Sequence, residues 1–233
     1  MTRYTTAYSS FLARLAEVEI LRGFAEKKER ENPILLRDEI NALSRGAIVL
    51  LSSHLEAYVK ELGELAIESL AKNNVQKKEL SYGFFYHISK DLIDEIKNTV
   101  EPEKIGKKMS YLFDRDYEFW SKSGTFTAHP PSERFNQGFS NPAYKKIKTY
   151  FNRFGYTDYN VDLTHRLRGN YQPITNMIDH LVDIRNKIAH GDPAATKTPR
   201  EVLDMILFVQ KFCKETDDVF ASWWKAKYCA LRR

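Results

Sequence analysis

Residues 34–72 read ILLRDEINALSRGAIVLLSSHLEAYVKELGELAIESLAK. Ile40, Leu43, Ala47, Leu51, Leu55, Tyr58, Leu62 and Leu65 recur at steps of three and four, the spacing that lines one face of an α-helix. No proline interrupts the run, so one long helix is expected over about 34–72. Gly46, Ala47, Ser52, Ser53 and Ala57 are small and should admit a second helix at close range. A stripe of this length needs partners to bury it, and the flanking sequence offers more helices.

Before it, Phe11, Leu15, Val18 and Leu21 predict a first helix over about 4–29, with Lys27, Lys28 and Arg30 suited to its C-terminal end. Asn32-Pro33 reads as an N-cap and first helical position for the next helix. After it, Phe85, Ile88, Leu92 and Ile96 suggest a helix over about 79–99, and Pro102 a break. Residues 101–165 differ in character. They are rich in Tyr, Phe, Lys and Arg and carry the breaker cluster Ala128-His129-Pro130-Pro131-Ser132. Helices near 104–120 and 142–154, separated by a long loop, are expected there. The aromatics Tyr117, Phe119, Trp120, Phe126, Phe135, Phe139, Tyr144, Tyr150, Phe151 and Phe154 suit helix packing, or stacking on RNA bases.

Ile174, Met177, Ile178, Leu181, Ile184 and Ile188 mark a helix over about 173–190, with Gly191 as its C-terminal stop. Thr198-Pro199-Arg200-Glu201 is a capping box that opens a last helix over about 199–226, whose core face carries Val202, Ile206, Val209, Cys213 and Phe220. The expected fold is all-α: an antiparallel bundle of long helices in one domain, 1–233, with a partly helical insertion at about 101–165.

The chain has 233 residues, with sparse glycine (10) and proline (8), as long helices require. Its net charge of +5 is compatible with a polyanionic partner. Cys213 and Cys229 sit in helical apolar patterns without metal or disulfide spacing, which suggests reduced thiols in a cytoplasmic protein. Met1 to Ala7 lacks the apolar stretch of a secretory leader, and no apolar run approaches the roughly 20 residues of a membrane span. No glycine-rich phosphate loop and no nucleophile elbow is present. His54, His87, His129, His165 and His180 have no metal-cage spacing and read mostly as surface or interface residues. No cofactor or metal is expected.

The chemistry concentrates in Asp183-Ile184-Arg185-Asn186-Lys187-Ile188-Ala189-His190-Gly191-Asp192. A helix that buries Ile184 and Ile188 turns Asn186 and His190, one turn apart, to the opposite side. Arg185 falls at the stripe's edge, where its stem can lie on apolar surface and its guanidinium reach outward. The arginine is a permanent planar cation that matches phosphate; the histidine exchanges protons near neutral pH. On the long helix, Glu56 stands one turn from Ser52 and four residues before Lys60, and reads first as one half of a surface ion pair.

Arg185-Asn186-Lys187-Ile188-Ala189-His190-Gly191 resembles the R-x4-H signature of the HEPN superfamily, and Leu51-Ser52-Ser53-His54-Leu55-Glu56-Ala57-Tyr58 is similar to the early helix of the prokaryotic MAE-type HEPN-like nucleases. The resemblance is best over 35–72 and 173–225. It implies a helical bundle that dimerises and brings two Arg/His motifs across a shared cleft. It further implies a metal-independent endoribonuclease of toxin–antitoxin or anti-phage defence, controlled by a cognate antitoxin or defence-system partner; the alternative is a non-catalytic dimeric module that binds RNA or protein. On this likeness Arg185 and His190 carry the active-site roles and Asn186 takes the polar position after the arginine; Glu56 is a supporting candidate beside its reading as a surface ion pair. One branch modifies a tyrosine two residues after the histidine; Asp192 stands there instead. One histidine cannot be base and acid in a single step, so a homodimer with its interface near residue 190 is expected.

Overall fold

The computed structural model describes residues 4–231; of the stretch read as lacking a leader, Met1 to Arg3 lie outside the described residues. Helix α1 spans Thr6–Glu31 and α2 Arg37–Lys72. Between them and the end of the fold lie α3 (Tyr82–Ile88), α4 (Lys90–Lys97), the longer α5 (Pro102–Trp120), α6 (Ser132–Asn136), α7 (Tyr144–Asn152) and α8 (Tyr159–Leu167). Two long ones close the chain, α9 (Tyr171–Ala189) and α10 (Pro199–Lys227). Among the described residues the only β-type pairing is an isolated bridge between Gln76 and Thr125.

The fold is all-α, with α2 at its centre and α1, α9 and α10 packed around it. That position explains a difference from the single stripe read in the sequence. Beyond Ala47, Leu51, Leu55, Tyr58 and Leu62, α2 also buries Ile48, Val59, Ala66, Ile67 and Leu70, because it has neighbours on several sides, while Leu43 and Leu65 are only half-buried. The close approach expected at Gly46 is to α1, where a β-carbon would stand 3.4 Å from Leu21.

The turn between α1 and α2 begins as the sequence suggests but delays the helix. Asn32 Oδ1 accepts from the backbone N–H of Ile34 and Leu35, and α2 starts only at Arg37. The helix expected over 79–99 is two helices. Ser81 caps α3 by accepting from Phe84 N–H, and the chain turns at buried Ser89, whose hydroxyl accepts from Trp120 Nε1. Pro102 opens α5 rather than breaking a helix. The capping box of α10 is fully formed, Thr198 and Glu201 bonding reciprocally.

Most aromatics of 101–165 are core. Phe126, Phe135, Phe139, Tyr150, Phe151 and Phe154 are buried, and Phe151 and Phe154 meet Phe220 and Trp224 of α10 at ring distances of 4.8 and 5.7 Å. The exposed aromatics of the segment are Tyr111, Phe113, Tyr117 and Trp120, all on α5. Helix α8 answers to Tyr159, Leu163 and Leu167, a four-residue spacing that its polar surroundings concealed. The segment docks on α2 at Gly63, where any β-carbon would collide with the Tyr150 hydroxyl. That hydroxyl donates to Asn136 Oδ1 (2.5 Å), and Asn136 Nδ2 donates to Glu64 on α2 (2.7 Å). Helix α5 stands apart: Asp116 is its one fully buried side chain.

Candidate functional site

Helix α9 is held by Ile174, Ile178, Leu181, Val182 and Ile184, all buried, with Met177 and Ile188 half-buried at the margin. Its end is set by Gly191 at φ 80°, the left-handed conformation that glycine adopts without steric cost. The amide of Gly191 bonds Ile188 O (3.1 Å) and that of Asp192 bonds Lys187 O (3.0 Å), the paired bonds of a Schellman stop. His190 is thereby the C-cap residue; its backbone N–H donates to Asn186 O (3.0 Å), and its ring is exposed. Arg185 and Asn186 are half-buried one turn earlier.

The side-chain partners of Arg185 decide the character of the site. Nη1 donates to Asn141 Oδ1 (3.0 Å) and to Asn186 Oδ1 (3.2 Å). Both acceptors are neutral amides. Several other arginines are paired with acids: Arg14 with Glu61, Arg115 with Asp91 and Asp116, Arg134 with Asp116, and Arg166 with Glu215 and Asp218, whereas buried Arg153 donates to the backbone carbonyls of Phe135 and Gln137. Among the described residues Arg185 has no carboxylate partner, so its charge remains available to an anion, with the rest of its donor fork to aim at it.

Glu56 does not bond Arg185. Its Oε1 accepts from Lys60 Nζ (2.7 Å), the pair read from the sequence, and its Oε2 from the backbone N–H of Asn141 (3.1 Å). Asn186 Oδ1 takes the adjacent guanidinium, because the half-buried arginine needs an acceptor.

Asn141 is the residue that sequence reasoning missed. It lies in a loop, and a periodicity search finds only helices; the available signal was Asn141-Pro142, a turn-forming pair. Its φ of 52° is a left-handed value that asparagine tolerates better than most residues. Three residues on, Tyr144 N–H donates to Asp179 Oδ1 on α9 (2.8 Å), and Lys145 and Lys146 are exposed on the first turn of α7.

The remaining histidines lie elsewhere. His129, His165 and His180 are exposed, but His54 is buried on α2 with Nε2 3.6 Å from Glu17, a correction to the surface reading. Burial lowers the pKa of His54, and that of the half-buried His87 to about 4, so both favour the neutral ring. Among the described residues no group of three or more His, Cys, Asp or Glu side chains is placed to hold a metal ion. A cavity of 510 Å³ lined by Asp162, His165, Arg166, Asp218 and Trp223 shares no residue with the Arg185 cluster. No helix of the described residues is long and apolar enough to cross a membrane.

A family model described as RiboL-PSP-HEPN matches residues 12–222 and so runs through the 101–165 segment that no recognisable motif covered. It agrees with the likeness read from Arg185–Gly191 at the level of the superfamily; the branch it names is RiboL-PSP, where the early helix had suggested the MAE type. Comparisons with curated proteins and with solved structures returned no match.

Proposed function

Because the chain belongs to the HEPN family, whose domains commonly dimerise and bind RNA, we propose that it is a metal-independent endoribonuclease built on Arg185, Asn186 and His190. The observation that carries this reading is the half-buried Arg185 held by two amide oxygens and no carboxylate. Such a cation costs solvation to keep and is useful to an incoming phosphate.

In the proposed reaction His190 takes the proton of a ribose 2′-OH. The 2′-oxygen attacks the adjacent phosphorus, and the bond from phosphorus to the 5′-oxygen breaks. The products are a 2′,3′-cyclic phosphate and a 5′-hydroxyl, the latter completed by a proton from a second acid. Arg185 binds the equatorial phosphate oxygens and stabilises the charge that grows on them. In a two-fold dimer the second His190 supplies the acid, and the exposure of His190 at the tip of α9 favours an interface there. DNA lacks the attacking hydroxyl and is spared. A cytoplasmic toxin or anti-phage effector, held in check by a partner protein, is the setting this activity suits. The same reading treats the chain as one domain with 101–165 inserted; its support is the shared burial of Phe135, Phe151 and Phe154 with Tyr58 and Phe220.

The test is incubation of purified protein with RNA and matching DNA in EDTA, beside His190→Ala. Cleavage of RNA alone, with a cyclic phosphate end and lost in the variant, is the expected result. Intact RNA with retained binding would make the chain a non-catalytic RNA-binding module. Full activity from a monomer, seen by light scattering, would remove the dimer.

A further inference from the structure

We infer that Asn141 is a positioning residue for Arg185, a part that the segment between α6 and α7 contributes to the site; the inference rests on the reading of Arg185 as the phosphate-binding group. Asn141 and Arg185 are far apart in the chain and joined by a 3.0 Å bond from Nη1 to Oδ1. The rest of Asn141 is held so that this oxygen points where it does. Its backbone N–H donates to Glu56 Oε2, its carbonyl accepts from Ala143 N–H (2.8 Å), and its φ is 52°. Beyond it, the Tyr144 N–H bond to Asp179 ties the segment to α9, the helix that carries Arg185. A loop fixed to α2 on one side and to α9 on the other thus brings one amide oxygen to one corner of the guanidinium. Arg185 is steered without being neutralised.

Glu56 acquires a role that needs no contact with substrate. Its carboxylate lies one hydrogen bond removed from the arginine, on the backbone of Asn141, while Lys60 takes its other oxygen. The acid holds the loop and leaves the cation's charge to the phosphate.

Asn141→Gly is the informative variant. Glycine accepts the left-handed backbone and keeps the N–H to Glu56, so only the amide side chain is removed. Single-turnover cleavage by Asn141→Gly should be about 10- to 100-fold slower, with KM within about threefold and the melting temperature within about 2 °C. Asn141→Asp should weaken RNA binding by more than about 10-fold, because a carboxylate would neutralise the arginine. A readout independent of activity is the side-chain Nε–Hε signal of Arg185 in arginine-labelled protein without RNA, assigned by its absence from Arg185→Lys. Its ordered signature should relax to that of a mobile side chain in Asn141→Gly. Where the wild type cuts RNA, the proposal stands only if rate and signal both change; a change in one alone, or in neither, overturns it. If the wild type cuts no RNA, the endoribonuclease reading fails by itself, and the Arg185 signal then decides: order lost in Asn141→Gly upholds the positioning, order unchanged overturns it.

Discussion

Arg115 and Arg185 are both drawn into the protein, yet they are put to opposite uses. Arg115 on α5 has only 16% of its side chain exposed and meets Asp91 at 2.6 Å and Asp116 at 2.8 Å, while Asp116, wholly buried, also takes Arg134. Those carboxylates raise the pKa of the Arg115 guanidinium further, and its charge is consumed in joining α4, α5 and α6. Arg185 meets amide oxygens alone and keeps its charge. The partners, rather than the residue type, separate the arginine that joins α4 to α5 from the one whose charge no acid takes up.

That contrast can be broken by truncating each in turn. Arg185→Ala should reduce RNA cleavage by about a thousandfold or more, the scale of losing a charged transition-state donor, while the melting temperature moves by less than about 3 °C. Arg115→Ala should do the reverse, costing about 3 kcal/mol in urea unfolding because Asp116 loses one of its two cations, with cleavage per folded molecule unchanged. A folded Arg185→Ala that cuts RNA at the wild-type rate would end the distinction.

Gly63→Ala sharpens it from the fold side. The added methyl meets Tyr150, so α7 must shift from α2, at a cost of about 2 kcal/mol by chemical denaturation. The loop with Asn141 is continuous with α7, so cleavage should fall with stability, in contrast to Arg115→Ala.

Acid offers a third lever. Burial, with smaller contributions from Arg153 and Lys90, lowers the pKa of His87 from 6.5 to about 4. Below 6.5 the unfolded chain therefore binds a proton that the folded one refuses, and stability falls as pH drops from 6.5 towards 4. His87→Gln should reduce the stability lost between pH 6.5 and 4 by about 2 kcal/mol after allowance for partial solvent screening, with the activity profile near neutrality unmoved. A slope identical to wild type would show that His87 does not carry it.

The smallest effect belongs to Asn186→Ala. Asn186 shares Arg185 with Asn141, so its loss should slow cleavage by about tenfold with RNA affinity nearly constant and stability changed by at most about 0.5 kcal/mol. A rate equal to wild type would leave Asn141 as the sole steering group.

The long helices were legible because each buries a face at a fixed period, as Leu51, Leu55 and Tyr58 do on α2, and because Thr198, Glu201 and Gly191 are local signals that need no distant partner. The break at Ser89 was hidden: the partner of its hydroxyl is Trp120, remote in sequence. The site divides likewise. Arg185, Asn186 and His190 were readable as one turn of helix, whereas Asn141 enters through a contact that only the folded chain makes, and the role of Glu56 depends on that contact.

Glu56, Asn141 and Arg185 come from three distant stretches of the chain, and the Schellman stop at Gly191 fixes the end of the stretch that carries Arg185. Their arrangement exists only while α2, the loop before α7 and α9 are held together, so local unfolding of any one of the three disperses it.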